Sequence, residues 1–418
     1  MAKKKRVPPV VHPPTKRQLS HWQQQKRRQR IIFTAGMAVI AAVLIIIGSG
    51  VYFGWYVPEY RPLHETVVEV NGDKFSLGYL IDFVTDQYGQ YATMALDYGI
   101  TNIEDYALIR QEAEKLGYSV TEKEIDDALK GLQVPETAAL RDAVKTQLLA
   151  GKLRDEYFKP QLPANPPQRQ VMALFMESLT KANEVKTAIL NGTDFGLMAS
   201  EMSLDETTKT DKGDLGWHPR EVLPVLLASE TVTDAIFNLP VDSVELIKDA
   251  DKTKQLGYWI VKVTERKDDG QSHVFGILVG SEDEAVNIKS RLDTGEDFDA
   301  LAKEFSQNYS EENGADMGWI PADSTDATAE FIFNTTIPLN TISPPIKDTN
   351  STTKGGYWVI KVAAAEDRAL SAEDQDTVIG QMFDKWLTEA RENPDTSINS
   401  YFDDNRREWA LSYLQNKA

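Results

Sequence analysis

Hydrophobic and polar positions follow three different rhythms along the 418 residues. The first has no polar beat at all. Ile31–Phe53, IIFTAGMAVIAAVLIIIGSGVYF, is 23 residues without a charge. As a helix it would run about 35 Å, enough for a hydrocarbon core of about 30 Å. It is longer than the apolar core of a cleaved signal peptide and lacks an A-x-A site, so an uncleaved anchor over 31–54 is expected. The second rhythm is helical. VVEVNGDKFSLGYLIDFV (67–84) predicts a strand, an Asn-Gly turn and the start of a helix. Residues 103–132 predict two helices, the first stopped by Gly117 and the second opened by a capping box of Thr121 and Glu124. Thr137–Phe158 is a further amphipathic helix, and PANPP (163–167) reads as a stiff linker closing a helical domain over 59–162.

The third rhythm mixes short apolar strands with helices, and it occurs twice. VMALFM at 171 matches VFGILV at 274, and NGTDFGLMASEMS at 191 matches TGEDFDALAKEFS at 294. GDLGW at 213 matches ADMGW at 315, IFN at 236 matches IFN at 332, and GYWIVKV at 257 matches GYWVIKV at 356. Five matches in one order, with offsets drifting between 96 and 103, mean an internal duplication with altered loops. A period near 100 residues suits tandem domains, over 168–268 and 271–368, and is too long for a solenoid unit. In the second copy Ala285, Ile288 and Leu292 line one helical face and Phe298, Leu301 and Phe305 the next; both are expected to be core. After Arg368, the apolar stripe of Met382, Phe383, Trp386, Leu387 and Ala390 needs a partner surface. The C-terminal segment 369–418 is therefore expected to pack back onto the helical domain and complete it.

Charge adds orientation. Residues 1–30 hold ten Lys or Arg and no acid, whereas the rest of the chain carries 35 basic against 64 acidic residues, a net of −29. A basic tail before the span and an acidic stretch after it place 1–30 in the cytoplasm and 57–418 outside, with Trp55 and Tyr56 at the interface. A single-pass protein of the cytoplasmic membrane, holding the bilayer through 31–54, is expected. The acidic body argues against nucleic acid as a partner. The absence of cysteine excludes disulfides and thiolate chemistry. His12, His21, His64, His218 and His273 form no pair at ligand spacing, so neither a metal nor any other cofactor is expected.

The repeated order of an ILV strand, G-x-D-F-x-x-L/M-A-x-x-x-S, G-D-L-G-W, F-x-L and G-Y-x-I-I-K-V resembles the parvulin-type (PpiC, rotamase) peptidyl-prolyl isomerases. The helical segment with VNG and LIRQEAEKLGYSVTEKEID is similar to the N-terminal domain of SurA/PrsA-type foldases. The resemblance covers nearly everything after the anchor. It implies an α+β fold: one transmembrane helix, a SurA-N-like helical domain, two tandem parvulin-like domains with small antiparallel sheets, and a C-terminal helix returning to the helical domain. It also implies an extracytoplasmic folding factor and chaperone whose partners are unfolded or proline-containing exported polypeptides.

The family's reaction breaks no bond. It lowers a rotation barrier of about 18–20 kcal/mol by gripping proline in an apolar pocket and favouring the twisted amide. The resemblance places one family histidine at Ala173 and Gly276, and the other at Trp259 and Trp358; both copies have lost both imidazoles. The Cys/Asp position is Asp205 in the first copy, the one catalytic candidate, and Asn308 in the second. An aromatic of the proline pocket becomes Val232 and Thr328, while Leu215, Phe237, Met317 and Phe333, together with the two tryptophans, remain as candidate substrate lining. A small residue facing an indole fills the space of two imidazoles with one donor to satisfy. Trp259 is accordingly expected over Ala173 and Trp358 over Gly276. Three functions follow: a tethered holdase or foldase with isomerase activity weak or lost, an active isomerase working through the first copy, and a passive envelope scaffold.

Overall fold

The computed structural model describes residues 16–132 and 134–417. The first half of the predicted cytoplasmic tail, residues 1–15, lies outside the described residues. The chain divides into two compact units, one of residues 1–157 with 384–418 and one of 158–383.

The first unit opens with α1 (Lys16–Val51), which continues through a π-helical stretch (Tyr52–Tyr60) into α2 (Arg61–Leu63). Gln25–Leu63 is one helical run of 39 residues, long and apolar enough to cross a membrane. The hairpin β1 (Thr66–Val70) and β2 (Asp73–Ser76) turns at Asn71-Gly72, both at positive φ as such a turn requires. Four helices follow: α3 (Leu77–Tyr88), α4 (Leu96–Lys115), α5 (Glu122–Leu129) and α6 (Ala138–Lys152). The capping box forms as expected, Thr121 and Glu124 bonding each other's backbone. These bonds and Lys152 hold the exposed Glu124 carboxyl down to about 2, the Lys152 contact being the largest cause.

The second unit begins with β3 (Pro167–Met176), α7 (Leu179–Leu190), α8 (Phe195–Met202), α9 (Glu206–Thr210), β4 (Asp214–Pro219), α10 (Leu223–Leu227) and α11 (Glu230–Asn238). The long strand β5 (Val244–Arg266) ends the first repeat. The second repeat follows as β6 (Ser272–Val279), α12 (Glu282–Asp293), α13 (Phe298–Phe305), β7 (Asp316–Ile320), α14 (Ala329–Ile332) and a second long strand, β8 (Ile346–Asp367). α15 (Ala372–Glu392) belongs to the second unit up to Phe383 and to the first beyond it; β9 (Ile398–Ser400) and α16 (Asp404–Lys417) complete the first.

The returning segment joins the first unit from Asp384 on, so the stripe residues Met382 and Phe383 lie in the second unit. Leu387, Ala410 and Leu414 join Leu80, Phe83, Ile103 and Leu108 in one core, and β9 adds a third strand to β1. Arg391 on α15 binds Glu104 at 2.8 Å and Asp105 at 2.6 Å on α4.

The two repeats do not form two separate small sheets. They share one antiparallel sheet of six strands in the order β4-β3-β8-β5-β6-β7. β3, the first strand of the first repeat, pairs along its length with β8, the last strand of the second: Ala173 faces Ile360 and Phe175 faces Trp358. β5, the last strand of the first repeat, pairs with β6, the first of the second: Val261 faces Gly276. The repeats have exchanged their final strands. β5 and β8 run antiparallel through the centre, each joining two segments of one long strand: Val244–Asp249 with Gly257–Val263, and Ile346–Asp348 with Tyr357–Val362. Each hydrophobic core is consequently composite. Val171, Phe175, Leu227 and Ile236 of the first repeat enclose Trp358 and Ile360 of the second. Ile277, Ile288, Leu301 and Ala302 of the second enclose Tyr258 and Ile260 of the first.

Candidate functional site

The exchange decides which predicted residues meet. Trp358, fully buried, shares a cluster with Ala173, Val232, Leu215 and Phe237 of the first repeat. Trp259 shares one with Met317 and Phe333 of the second, and its ring lies 3.1 Å from where a Cβ on Gly276 would stand. The expected pairs, Trp259 with Ala173 and Trp358 with Gly276, are therefore corrected to Trp358 with Ala173 and Trp259 with Gly276. The reason is topological: each Gly-Tyr-Trp strand is built into the other repeat's sheet. The size match of a minimal residue against an indole survives the swap.

Both indoles are tied down by an aspartate of the opposite repeat. Trp358 Nε1 donates to Asp249 Oδ2 at 3.1 Å, and Trp259 Nε1 donates to Asp348 Oδ2 at 3.2 Å. Asp249 Oδ1 accepts the N–H groups of Asp251 and Lys252, both at 3.1 Å. Asp348 accepts from Asn350 N and from the Ser351 hydroxyl. Burial pushes the Asp348 carboxyl up, but the bonds from Ser351, Asn350 and Trp259 outweigh it and hold the group below its ordinary value. Sequence reasoning missed these two carboxylates. The signal was present: each stands ten positions before its own repeat's tryptophan, at the same offset of 99 that relates the strands.

Asp205 caps α9, accepting the Thr208 N–H at 3.0 Å, and its second oxygen meets Lys252 Nζ at 2.8 Å. Lys252 in turn lies 5.0 Å from the centre of the Trp358 ring and donates to the Leu227 carbonyl. The first composite site thus holds an indole, an ammonium and two carboxylates in contact with one another. Asn308 is exposed, its backbone N–H bonded to Ser306 Oγ, so the second site has no counterpart to the Asp205–Lys252 pair. Phe237 carries the Arg169 guanidinium at 5.4 Å and that of Arg220 at 5.3 Å over its ring. Thr328 is buried, and its hydroxyl donates to Asp326 Oδ1. His218 lies in neither histidine position; its Nδ1 faces the buried Asp374 at 2.8 Å and its Nε2 the Leu215 carbonyl. Among the described residues no group of His, Asp and Glu could hold a metal.

The model of the PPIC-type PPIase domain matches residues 169–267 in one variant and 280–364 in another. Each repeat thus matches a parvulin-type domain, in a chain that is similar to SurA and PrsA proteins. The chain is 26% identical over 321 residues to the chaperone SurA of Methylobacillus flagellatus, covering 68% of this chain and 64% of that protein, just under two thirds of its length. It is 26% identical over 346 residues to the foldase protein PrsA of Clostridium kluyveri, covering 80% of this chain and 87% of that one. Among solved structures, the peptidylprolyl isomerase PrsA of Bacillus anthracis aligns over 81% of this chain and 94% of its own, at 12% identity and a TM-score of 0.25. At the residues to which the resemblance assigns the imidazoles, the Ala173 and Gly276 backbone N–H groups and both indole N–H groups are already bonded.

Proposed function

We propose that the chain is a membrane-anchored folding factor that holds unfolded or proline-containing exported polypeptides outside the cytoplasmic membrane, with isomerase activity weak or lost. The observation that carries this is the pair of buried tryptophans in the histidine positions, each bonded to an aspartate of the other repeat. An indole fixed this way is a structural element. It has no second bonding partner to offer a twisting amide. The apolar run at 31–54, the basic tail before it and the acidic body after it support an anchor with the N-terminus inside. In the first unit Tyr91, Met94 and Tyr98 are 60, 80 and 71% exposed within eight residues, an apolar patch suited to a client's side chains. The negative body suits cation-rich clients and keeps a holdase soluble. Asp205 is read as a positioning group for Lys252, and Leu215, Phe237, Met317 and Phe333 as lining of a shallow apolar surface.

The test uses the full-length chain in lipid nanodiscs. It should suppress aggregation of an unrelated unfolded protein, less so after joint replacement of Tyr91, Met94 and Tyr98 by serine. It should leave the rate of a protease-coupled proline-peptide assay near the uncatalysed value. Acceleration abolished by Leu215→Ala or Phe237→Ala would show an active isomerase instead. Neither activity, with one stoichiometric partner recovered, would show a scaffold.

A further inference from the structure

The C-terminal helix α16 runs past the end of the long N-terminal helix in the opposite direction. Arg406 meets Glu65 at 3.3 Å, and one turn later Trp409 Nε1 donates to the Pro58 carbonyl at 2.9 Å. As α16 advances, its partner residues recede from 65 to 58, toward the apolar segment. A cleft of about 290 Å³ continues the contact, lined by Pro58, Glu59, Trp409, Ser412, Tyr413 and Asn416. Pro58 stands five residues beyond Phe53, where the uncharged run ends. That is about 7–8 Å along the helix, comparable to the depth of one headgroup layer. From Trp409 to Asn416 α16 advances about another 10 Å.

The composition of α16 changes along the same line. Its first half carries Asp404 and Glu408, whereas WALSYLQNK (409–417) has no acid in a chain that holds 64. Trp409 and Tyr413 stack with centroids 5.0 Å apart, on the side of α16 that lines the cleft. Indole and phenol rings at a water–lipid boundary put the apolar body inward and the polar edge toward headgroups and water.

We infer that the second half of α16 rests in the lipid headgroup layer beside the point where the chain leaves the bilayer, with the Pro58–Trp409–Tyr413 cleft open to phospholipid headgroups. The partner is the lipid surface, and the inference rests on the anchor reading given above. The first unit then sits on the membrane with its C-terminal helix as a second foot, which limits how far the anchor can swivel beneath it.

Because the chain contains no cysteine, single labels can be placed without altering anything else. Full-length Ile45→Cys, Asn405→Cys and Asn416→Cys, all at exposed positions, would carry a fluorophore in bilayers of phosphatidylcholine with a minority of phosphatidylglycerol. Nitroxide lipids would quench from the headgroup or from the acyl chain. The label at 45 should lose most of its emission to the acyl-chain quencher, the label at 416 to the headgroup quencher, and the label at 405 to neither. If 45 is quenched while 416 stays as bright as 405, α16 does not touch lipid and the inference is wrong although the anchor stands. If 45 itself is unquenched, the anchor reading fails and this one with it. Trp409→Leu should restore emission at 416 without changing 45; unchanged quenching would show that the Pro58 contact does not place the helix.

Discussion

Each indole N–H in the two composite sites finds its acceptor far away in sequence, 109 residues for Trp358 and 89 for Trp259. A buried carboxylate that loses its donor keeps its desolvation cost, so Trp358→Phe should lower stability by about 1–3 kcal/mol in urea unfolding. A double-mutant cycle of Asp249→Asn with Trp358→Phe should show coupling of about 1 kcal/mol, and one of Asp249→Asn with Trp259→Phe close to none. The reverse result would mean that each repeat keeps its own last strand. Protonation gives a second reading of the same bonds. Asp348 is held below its ordinary value, so the stability it contributes is fully present above the unfolded-state value and is lost as pH falls through the folded one. Asp348→Asn should therefore cost more at neutral pH than at about pH 3, where the unfolded-state carboxyl is largely protonated and part of this stability is already lost. Equal costs at the two pH values would remove this linkage.

At the scale of elements, the glycines that open the two repeated strands have different neighbours but the same task. A Cβ on Gly356 would stand 2.5 Å from the Met176 carbonyl and collide with the Phe175 ring, both in the other repeat. A Cβ on Gly257 would stand 2.6 Å from Leu278 and 3.2 Å from Thr353, again residues of the opposite repeat. Gly356→Ala should destabilise the second unit by about 1–3 kcal/mol, read from its thermal midpoint, because backbone and a packed ring cannot both withdraw. The helices, the capping box, the Asn-Gly turn and the returning C-terminal helix were legible in the sequence, since each depends on residues close together or on an apolar face with nowhere else to go. The pairing of the long strands was not. GYWIVKV and GYWVIKV present the same alternation, the same small first residue and the same indole, so each sheet position accepts either copy. The aspartates at 249 and 348 repeat the ambiguity, because either one can serve either tryptophan. Local pattern specifies the strand and leaves its owner open.

Seen as a whole molecule, residues 158–383 should unfold in one transition in spite of containing two homologous domains. In independent tandem domains, Trp259→Ala would melt one and spare the other. Here the same change should release protection from hydrogen exchange in both cores together, since β5 and β8 run through each. Two separated unfolding steps would contradict it. The exchange ties the two parvulin-type domains into one unit, and the exposed patch at Tyr91–Tyr98 belongs to the other.

The shared sheet also sets an order of manufacture. Synthesis from the N-terminus delivers β3 about 180 residues before its partner β8. Until then the first repeat has its helices with β3, β4 and β5 but not the Trp358 strand, and Ala173 and Phe175 lack the neighbours they have in the finished sheet. The first domain to emerge is thus the last to be finished. During that interval it presents the kind of open strand edge that aggregates with its neighbours. The protein passes through its own synthesis with its shared sheet unfinished.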